Sequence, residues 1–488
     1  MRRLFPILLF SSFVSCAHSE GEQITVTSED DLSGLTVAVV AGSCYDTEYS
    51  DREDITLVRY NTHTDILQAV VNNQAQVCVD DEVSYPASVL RDTRTIMSGR
   101  GTKEFPTAFA LSKENTSLLD AYNEMQREMV EEGTLDSLVR FWLRPEGFLE
   151  SELPDVPEQA SGNPVMVAVS GVANPICFMV NGEWYGLEVD LLRNFGKRIG
   201  RKVEFKLYDL ASGLMAVNAG MADILAGVIF VTPERSEVYA FTEPYHSFHP
   251  GYFVKDMSYS EGQKGLWNTL KTAFRKNLVE EHRWKMILQG VWETIKITVF
   301  AILLGSVLGA GICAMMRSRK GYLRSIAHFY NGFMAGIPML VLLLILFYVV
   351  FAGSGLSSTA VAIIAFGLNF ASGASGIYNT SLDSIPSGQK EAGLALGFTG
   401  LQTFRYIIMP QAVTRGLPLF RSECSGLLKG TSIVGYIAIQ DLTRAGDLIR
   451  SRTFDALMPL LLVTIIYFVL TWAIGALVGL VARKKREP

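Results

Sequence analysis

Residues 391–413 read "EAGLALGFTGLQTFRYIIMPQAV", and the fold turns on what this stretch is. It lies between strongly apolar runs, yet it opens on a carboxylate, carries Gly397 six residues later and closes through Pro410. A segment this polar is a poor membrane span. It reads as a helical hairpin held outside the bilayer between two spans, with Gly397 letting the chain turn tightly.

Outward from the hairpin, apolar runs at about 294–315, 334–352, 358–378, 416–440 and 456–482 approach the length a bilayer requires and predict about five transmembrane helices. The fourth is broken by Lys429, Gly430 and Thr431. A charge or irregular backbone at that depth is tolerated only where it faces protein or a cavity. Lys429 and Thr431 are therefore membrane-pathway candidates, with Asn369 and Asn379 on the third run. "RSRKGYLR" follows the first span and "ARKKREP" the last, which puts both on the cytoplasmic side. An exported N-terminal half followed by five spans gives the same orientation, so the hairpin is expected in the cytoplasm. Gly305/Gly309 and Gly475/Gly479 are GxxxG pairs and read as close helix packing. Residues 261–288 interleave basic with aromatic and apolar residues at helical spacing, which predicts an amphipathic helix in the membrane interface. The alternative there is a surface helix of the preceding domain.

The N-terminal half has a different composition. A basic start, a short apolar core and small residues predict a secretory signal over 1–16 rather than a span. Cys16 is either the acylated residue of a loose lipoprotein box or part of a plain cleavage site. From about 31 to 255, short β-branched runs alternate with helical patterns, as in a soluble α/β domain. The proline- and acid-rich segment 144–163 reads as a linker, which divides this region into 31–143 and 164–256, ahead of a membrane domain at 289–484.

Composition narrows the function. The chain has 488 residues, 49% hydrophobic and 19% charged, with a net charge of −6, which excludes nucleic acid as the main partner. Six cysteines without a CxxC pair predict neither a metal site nor a disulfide framework. The six histidines are scattered and no Ser/His/Asp constellation emerges, so no enzyme active site is expected.

"SIPSGQKEAGLALGFTGLQTFRYIIMPQA" closely resembles the coupling-helix motif of ABC importer permeases, and the flanks "LLKGTS" and "DLTRAGDLIRSRTF" resemble the polar amino acid family of these proteins. The resemblance implies a type I importer permease fold, a homodimer of permease subunits and a cytoplasmic ATP-binding subunit that docks on Glu391, Ala392, Gly397 and Pro410. "GLLKGTS" lacks the GxxxxGK[ST] spacing of a phosphate cradle. No cofactor is thus expected in this chain, and ATP and Mg belong to the partner.

The exported half resembles the solute-binding protein of the same transporters, in a scrambled order. Residues 186–245 look like the first lobe of an amino-acid-binding protein, while the second-lobe-like "DLSGLTVAVVAGS" and "TDILQAVVNNQAQVCVDDEVSY" come before it. This implies one type II two-lobed domain, circularly permuted; the alternative is two incomplete lobes that pair with other copies or chains. By the same resemblance, Arg235 of "TPER", helped by Thr232, holds the carboxylate of an amino acid or similar small polar solute. Asp81, with Asp80 beside it, takes the ammonium, and Ser43 and Gly42 add donors. The sequence departs from the family at Ser170, Ala173 and Phe230 in the lobes, and at Gly376 and Asn379 in the third span. A ligand-gated channel or sensor with glutamate-receptor-like lobes is the competing reading, but it has no use for an ATPase dock.

Overall fold

The computed structural model describes residues 23–144, 152–156, 162–180, 182–258, 266–455 and 457–484. The expected signal segment and Cys16 lie outside them, as do parts of the 144–163 linker.

Two five-stranded sheets form two lobes. In the first, Thr36–Val40 lies between Thr56–Tyr60 and Val77–Asp81, all parallel. Val37, Ala38 and Val39 are all buried, as expected of a parallel strand covered on both faces. Pro250–Lys255 returns from the far half of the chain and inserts antiparallel between Val77–Asp81 and Thr95–Arg100. In the second sheet the order is Arg201–Leu207, Gly162–Val169, Ile224–Ala226, Ala110–Ser112, Tyr239–Phe241. Here the early segment Ala110–Ser112 inserts antiparallel between two later strands.

Each lobe thus borrows one strand from the other half of the chain. Helices Thr116–Glu131 and Thr134–Trp142 follow Ala110–Ser112 into the second lobe, where Tyr122, Met125 and Trp142 pack with Val167, Leu191 and Phe195. Removing apolar side chains of this size from water contributes roughly 1.5–3 kcal/mol each. Where the chain crosses between lobes, Phe105–Thr107 pairs antiparallel with His246–Phe248, so the two crossings are stitched together.

In the C-terminal half, Trp284–Met316, Ser358–Asp383 and Leu457–Gly479 are long and apolar enough to cross a membrane. Gly305 and Gly309 bring the first two together: a Cβ would stand 2.6 Å from the Gly367 carbonyl and 2.9 Å from that of Ala371. Gly475 serves another purpose, since a Cβ there would stand 2.3 Å from a guanidinium nitrogen of Arg421. The apolar run expected as a span over 334–352 contains a corner. Gly321–Gly336 and Met339–Val350 meet at 105°, because Pro338 holds Ile337 extended at φ −100°, ψ 127°. The run at 416–440 is also divided, into helix Met409–Gly430 and a 3-10 turn Thr431–Ile437. Arg415, Arg421, Glu423 and Lys429 make this helix too polar for the same class. Among the described residues three helices therefore have span-like length and composition, or four with the bent pair counted as one.

The expected amphipathic helix over 261–288 is not continuous. Helix Leu266–Phe274 gives way to a wide turn at Arg275–Val279, and Trp284 already belongs to the first span. The break is anchored by Asn277, almost fully buried, which donates to Asp455 Oδ2 (2.6 Å) and accepts from the Thr453 hydroxyl (2.8 Å).

Candidate functional site: an interlobe cavity and a helical hairpin

A cavity of about 520 Å³ lies where both lobes meet helix Leu442–Thr453 of the membrane half. The first lobe contributes an acidic pair at the end of strand Val77–Asp81. Asp80 accepts from His63 Nδ1 (2.8 Å) and the Tyr85 hydroxyl (2.7 Å); Asp81 accepts from the Tyr45 hydroxyl (2.7 Å). Both carboxylates are almost wholly buried. Burial favours the neutral acid at Asp80, but the charge and hydrogen bond of His63 outweigh it and hold Asp80 below the usual carboxylate range. His63 in turn is held up at about 9, against its burial, chiefly by the charge of Asp80. Among the described residues no cation is paired with Asp81. Burial, and then the neighbouring Asp80 charge, push it up to about 7.

The second lobe contributes Arg235 from helix Pro233–Val238, whose N-cap Thr232 accepts from the Arg235 backbone N–H (3.3 Å). The Arg235 side chain reaches across the cleft. One terminal nitrogen donates to Phe230 O (3.1 Å) and the other to Gly42 O (2.6 Å) on the opposite lobe. Gly42 takes a left-handed φ of +72°, and Ser43 caps helix Cys44–Tyr49 by accepting from Asp46 N (3.1 Å). The six residues predicted for solute binding therefore fall into two groups. Asp80, Asp81, Ser43 and Arg235 line the cavity, while Thr232 caps beneath it and Gly42 meets Arg235 through its carbonyl.

Several residues at the site were not singled out in the sequence. Tyr45 forms an edge-to-face trio with Phe105 and Phe230, so the phenylalanine that departs from the family pattern fills a wall with ring surface. Glu188, fully buried, accepts from Gly227 N (2.6 Å), Val228 N (2.8 Å) and the Tyr245 hydroxyl. It thereby holds the cavity-lining turn at Gly227–Val228 in place, including Val228 at φ +58°, an unfavourable value for a β-branched residue. Ser170 donates to Gly227 O (2.8 Å) and braces the same turn.

The third wall comes from the membrane half. Arg450 pairs with Asp65 (2.5 Å), Gln68 donates to Phe454 O (2.7 Å), and Leu448 is buried in the core of the second lobe. The Tyr348 hydroxyl donates to Ser212 O (3.1 Å). Both lobes are thus attached to the membrane half.

At the other end, helix Ser387–Ala395 closes on Gly397 at φ +85°. Phe398 N donates to Gly393 O (3.1 Å) and Gly397 N to Leu394 O (3.0 Å), the paired bonds of a Schellman cap. Thr399 and Gln402 then form a capping box that starts Gly400–Thr403. Pro410, with no N–H to give, sits near the start of helix Met409–Gly430, just after a wide turn at Phe404–Ile408. Gly393 lets the two arms touch, since a Cβ there would stand 2.5 Å from Thr403 Cγ2. Glu391 and Ala392 lie exposed on the first arm, and Glu391 has no hydrogen-bond or ionic partner among the described residues.

The residues predicted for the membrane pathway scatter. Asn379 accepts from Arg317 (3.0 Å) and donates to Asp383 (3.0 Å) at the end of the third run; Thr431 bonds back to Leu428 O (2.7 Å). Asn369 is half-buried and Lys429 exposed. No cluster of three or more potential metal ligands occurs among the described residues.

Comparison with known proteins matches residues 301–487 to the binding-protein-dependent transport system inner membrane component family. Residues 165–296 match the bacterial extracellular solute-binding proteins, family 3. The chain is 32% identical over 189 residues to a probable amino-acid ABC transporter permease protein, YckA, of Bacillus subtilis, covering 38% of this chain and 82% of that protein. It is 30% identical over 218 residues to the L-cystine transport system permease protein TcyB of the same organism, covering 44% and 93%. It is 32% identical over 209 residues to the glutamate transport system permease protein GluD of Corynebacterium glutamicum, covering 41% and 75%.

Proposed function

This chain belongs to the family of binding-protein-dependent transport system inner membrane components, and on that premise we propose that it is the permease of an ATP-driven importer with its solute-binding domain built in. The solute is an amino acid or a similar small polar molecule. The observation that carries this reading is a cavity bounded jointly by both lobes and by the permease's own helix. Asp81 has a buried carboxylate that is paired with no cation among the described residues, His63 being bonded to Asp80, and this suits the solute's ammonium. Arg235 exchanges its two backbone carbonyls for the solute's carboxylate, with Thr232, Ser43 and Gly42 shaping that end and Asp80 fixing the pair.

A separate cytoplasmic subunit binds ATP and Mg and seats on Glu391, Ala392, Gly397 and Pro410. Five spans, an extracytoplasmic pair of lobes, the bacterial cytoplasmic membrane and a homodimer of permease halves complete the proposal. Lys429, Thr431, Asn369 and Asn379 belong to its passage. The lobes form one circularly permuted domain; in support, the family 3 match begins at residue 165, while each sheet takes one strand from the other half of the chain.

Equilibrium binding of the standard L-amino acids to the full chain in lipid nanodiscs tests the reading. At least one is expected to bind, and Arg235→Ala to weaken it. Binding of none would refute it.

A further inference from the structure

Arg235, the expected carboxylate anchor, already has both terminal nitrogens on backbone carbonyls and straps one lobe to the other. A second arginine lines the same cavity without being so engaged. Arg444 lies in the first turn of helix Leu442–Thr453, on the permease side, where the Asp441 cap takes its backbone N–H (3.0 Å). Its stem lies on bare Gly435, with Cδ 3.6 Å from where a Cβ would be. Its Nε is buried without a hydrogen-bond partner, and no side-chain hydrogen bond or ion pair holds the guanidinium among the described residues. Asp447, Asp209 and Asp441 border the cavity and act on Arg444 through space, none of them within ion-pair distance among the described residues. A guanidinium that is partly desolvated and has no partner is matched best by a planar anion that accepts two hydrogen bonds.

We propose that Arg444 is a solute-contacting residue, through which the permease itself joins Arg235 on the solute's carboxylate inside the cavity of the lobes. The inference rests on the proposed import of an amino acid. It gives the site three walls: the acidic pair of the first lobe, the Gly227–Val228 turn of the second, and Arg444 of the permease. Solute gripped there touches the permease before the lobes release it, so it passes from one to the other without an intervening return to bulk water.

The test uses the full chain in lipid nanodiscs, the standard L-amino acids as probes, and the α-amide of whichever binds best. Wild type is expected to prefer the acid to its amide. Arg444→Gln is expected to weaken binding of the acid by about tenfold and to leave the amide nearly unchanged. Arg444→Lys keeps the charge but not the fork, should retain part of the preference, and carries the test if the glutamine variant does not fold. An equal loss for acid and amide would mean a structural role and overturn the proposal, as would an unchanged preference. Failure of the wild type to bind any probe would instead overturn the reading of the cavity as an amino-acid site, and this inference with it.

Discussion

Two short helical excursions leave the membrane half, and they are finished in opposite ways. Helix Leu442–Thr453 is clothed: Leu442, Ala445 and Ile449 are buried against Ile287 and Val463 of the membrane half, while Leu448 and the Arg450–Asp65 ion pair go to the lobes of the same chain. The hairpin at 387–408 is bare: Leu396 is 75% exposed, Leu401 77% and Tyr406 62%. Contiguous apolar surface on a rigid, well-capped element marks a contact site. On the proposed docking of a second polypeptide at the hairpin, a contact surface is filled where its occupant is covalently attached and open where it is not.

The largest expected effect tests the bare end. Leu396→Asp with Leu401→Asp should lower ATP-driven uptake at least about tenfold, as loss of central apolar anchors does at interfaces, while leaving solute binding intact. Glu391→Lys should act in the same direction. Normal uptake by both variants, measured in vesicles with the ATP-binding subunit, would break the comparison.

At the clothed end the sharper probe is pH. Because Asp81 is held up near 7, an ammonium must displace its proton below that value. Affinity should fall by up to about tenfold per pH unit as pH drops below about 7, and Asp81→Asn should remove the dependence. For folding the sign is reversed. The folded state keeps a proton that the unfolded state releases, so the Asp81 contribution to stability declines as pH rises from the usual carboxylate range towards 7.

Smaller effects separate rigidity from contact. Gly397→Val should cost the hairpin about 1–2 kcal/mol by forcing a β-branched residue into a left-handed conformation. That would show as lowered uptake with unchanged solute binding. A double-mutant cycle on Asp65 and Arg450, read by thermal unfolding, should give a coupling of about 1 kcal/mol, since both side chains keep partial access to water. Zero coupling would mean that the helix touches the first lobe without holding it.

The hairpin was legible in the sequence because its determinants are local. Gly397, the Thr399/Gln402 box and Pro410 act within a few residues of themselves. The Asp80–Asp81 pair was legible through the resemblance of "QVCVDDE" to the solute-binding proteins. His63, Tyr45 and Tyr85 were not, since only the fold brings them to that pair from separate segments. Glu188 looks like the polar face of an ordinary amphipathic helix until the Gly227–Val228 turn meets it. Pro338 and Asn277 broke two helices expected to be continuous, one by its ring and the other by a long-range partner. Arg444 sits in a quoted motif, but its exposure to a cavity of the lobes depends on how two domains meet.

The returning strand Pro250–Lys255 has a consequence for the order of events in synthesis. It lies inside the first sheet, not at its edge, so strands completed more than 150 residues earlier must wait for it, since the earliest pair ends at Tyr60 and the filler begins at Pro250. The first lobe therefore stays open while the whole second lobe is made, and closes only as the first membrane helix follows it out of the ribosome. Assembly of the binding cleft and entry of the chain into the membrane are thereby tied to nearly the same moment.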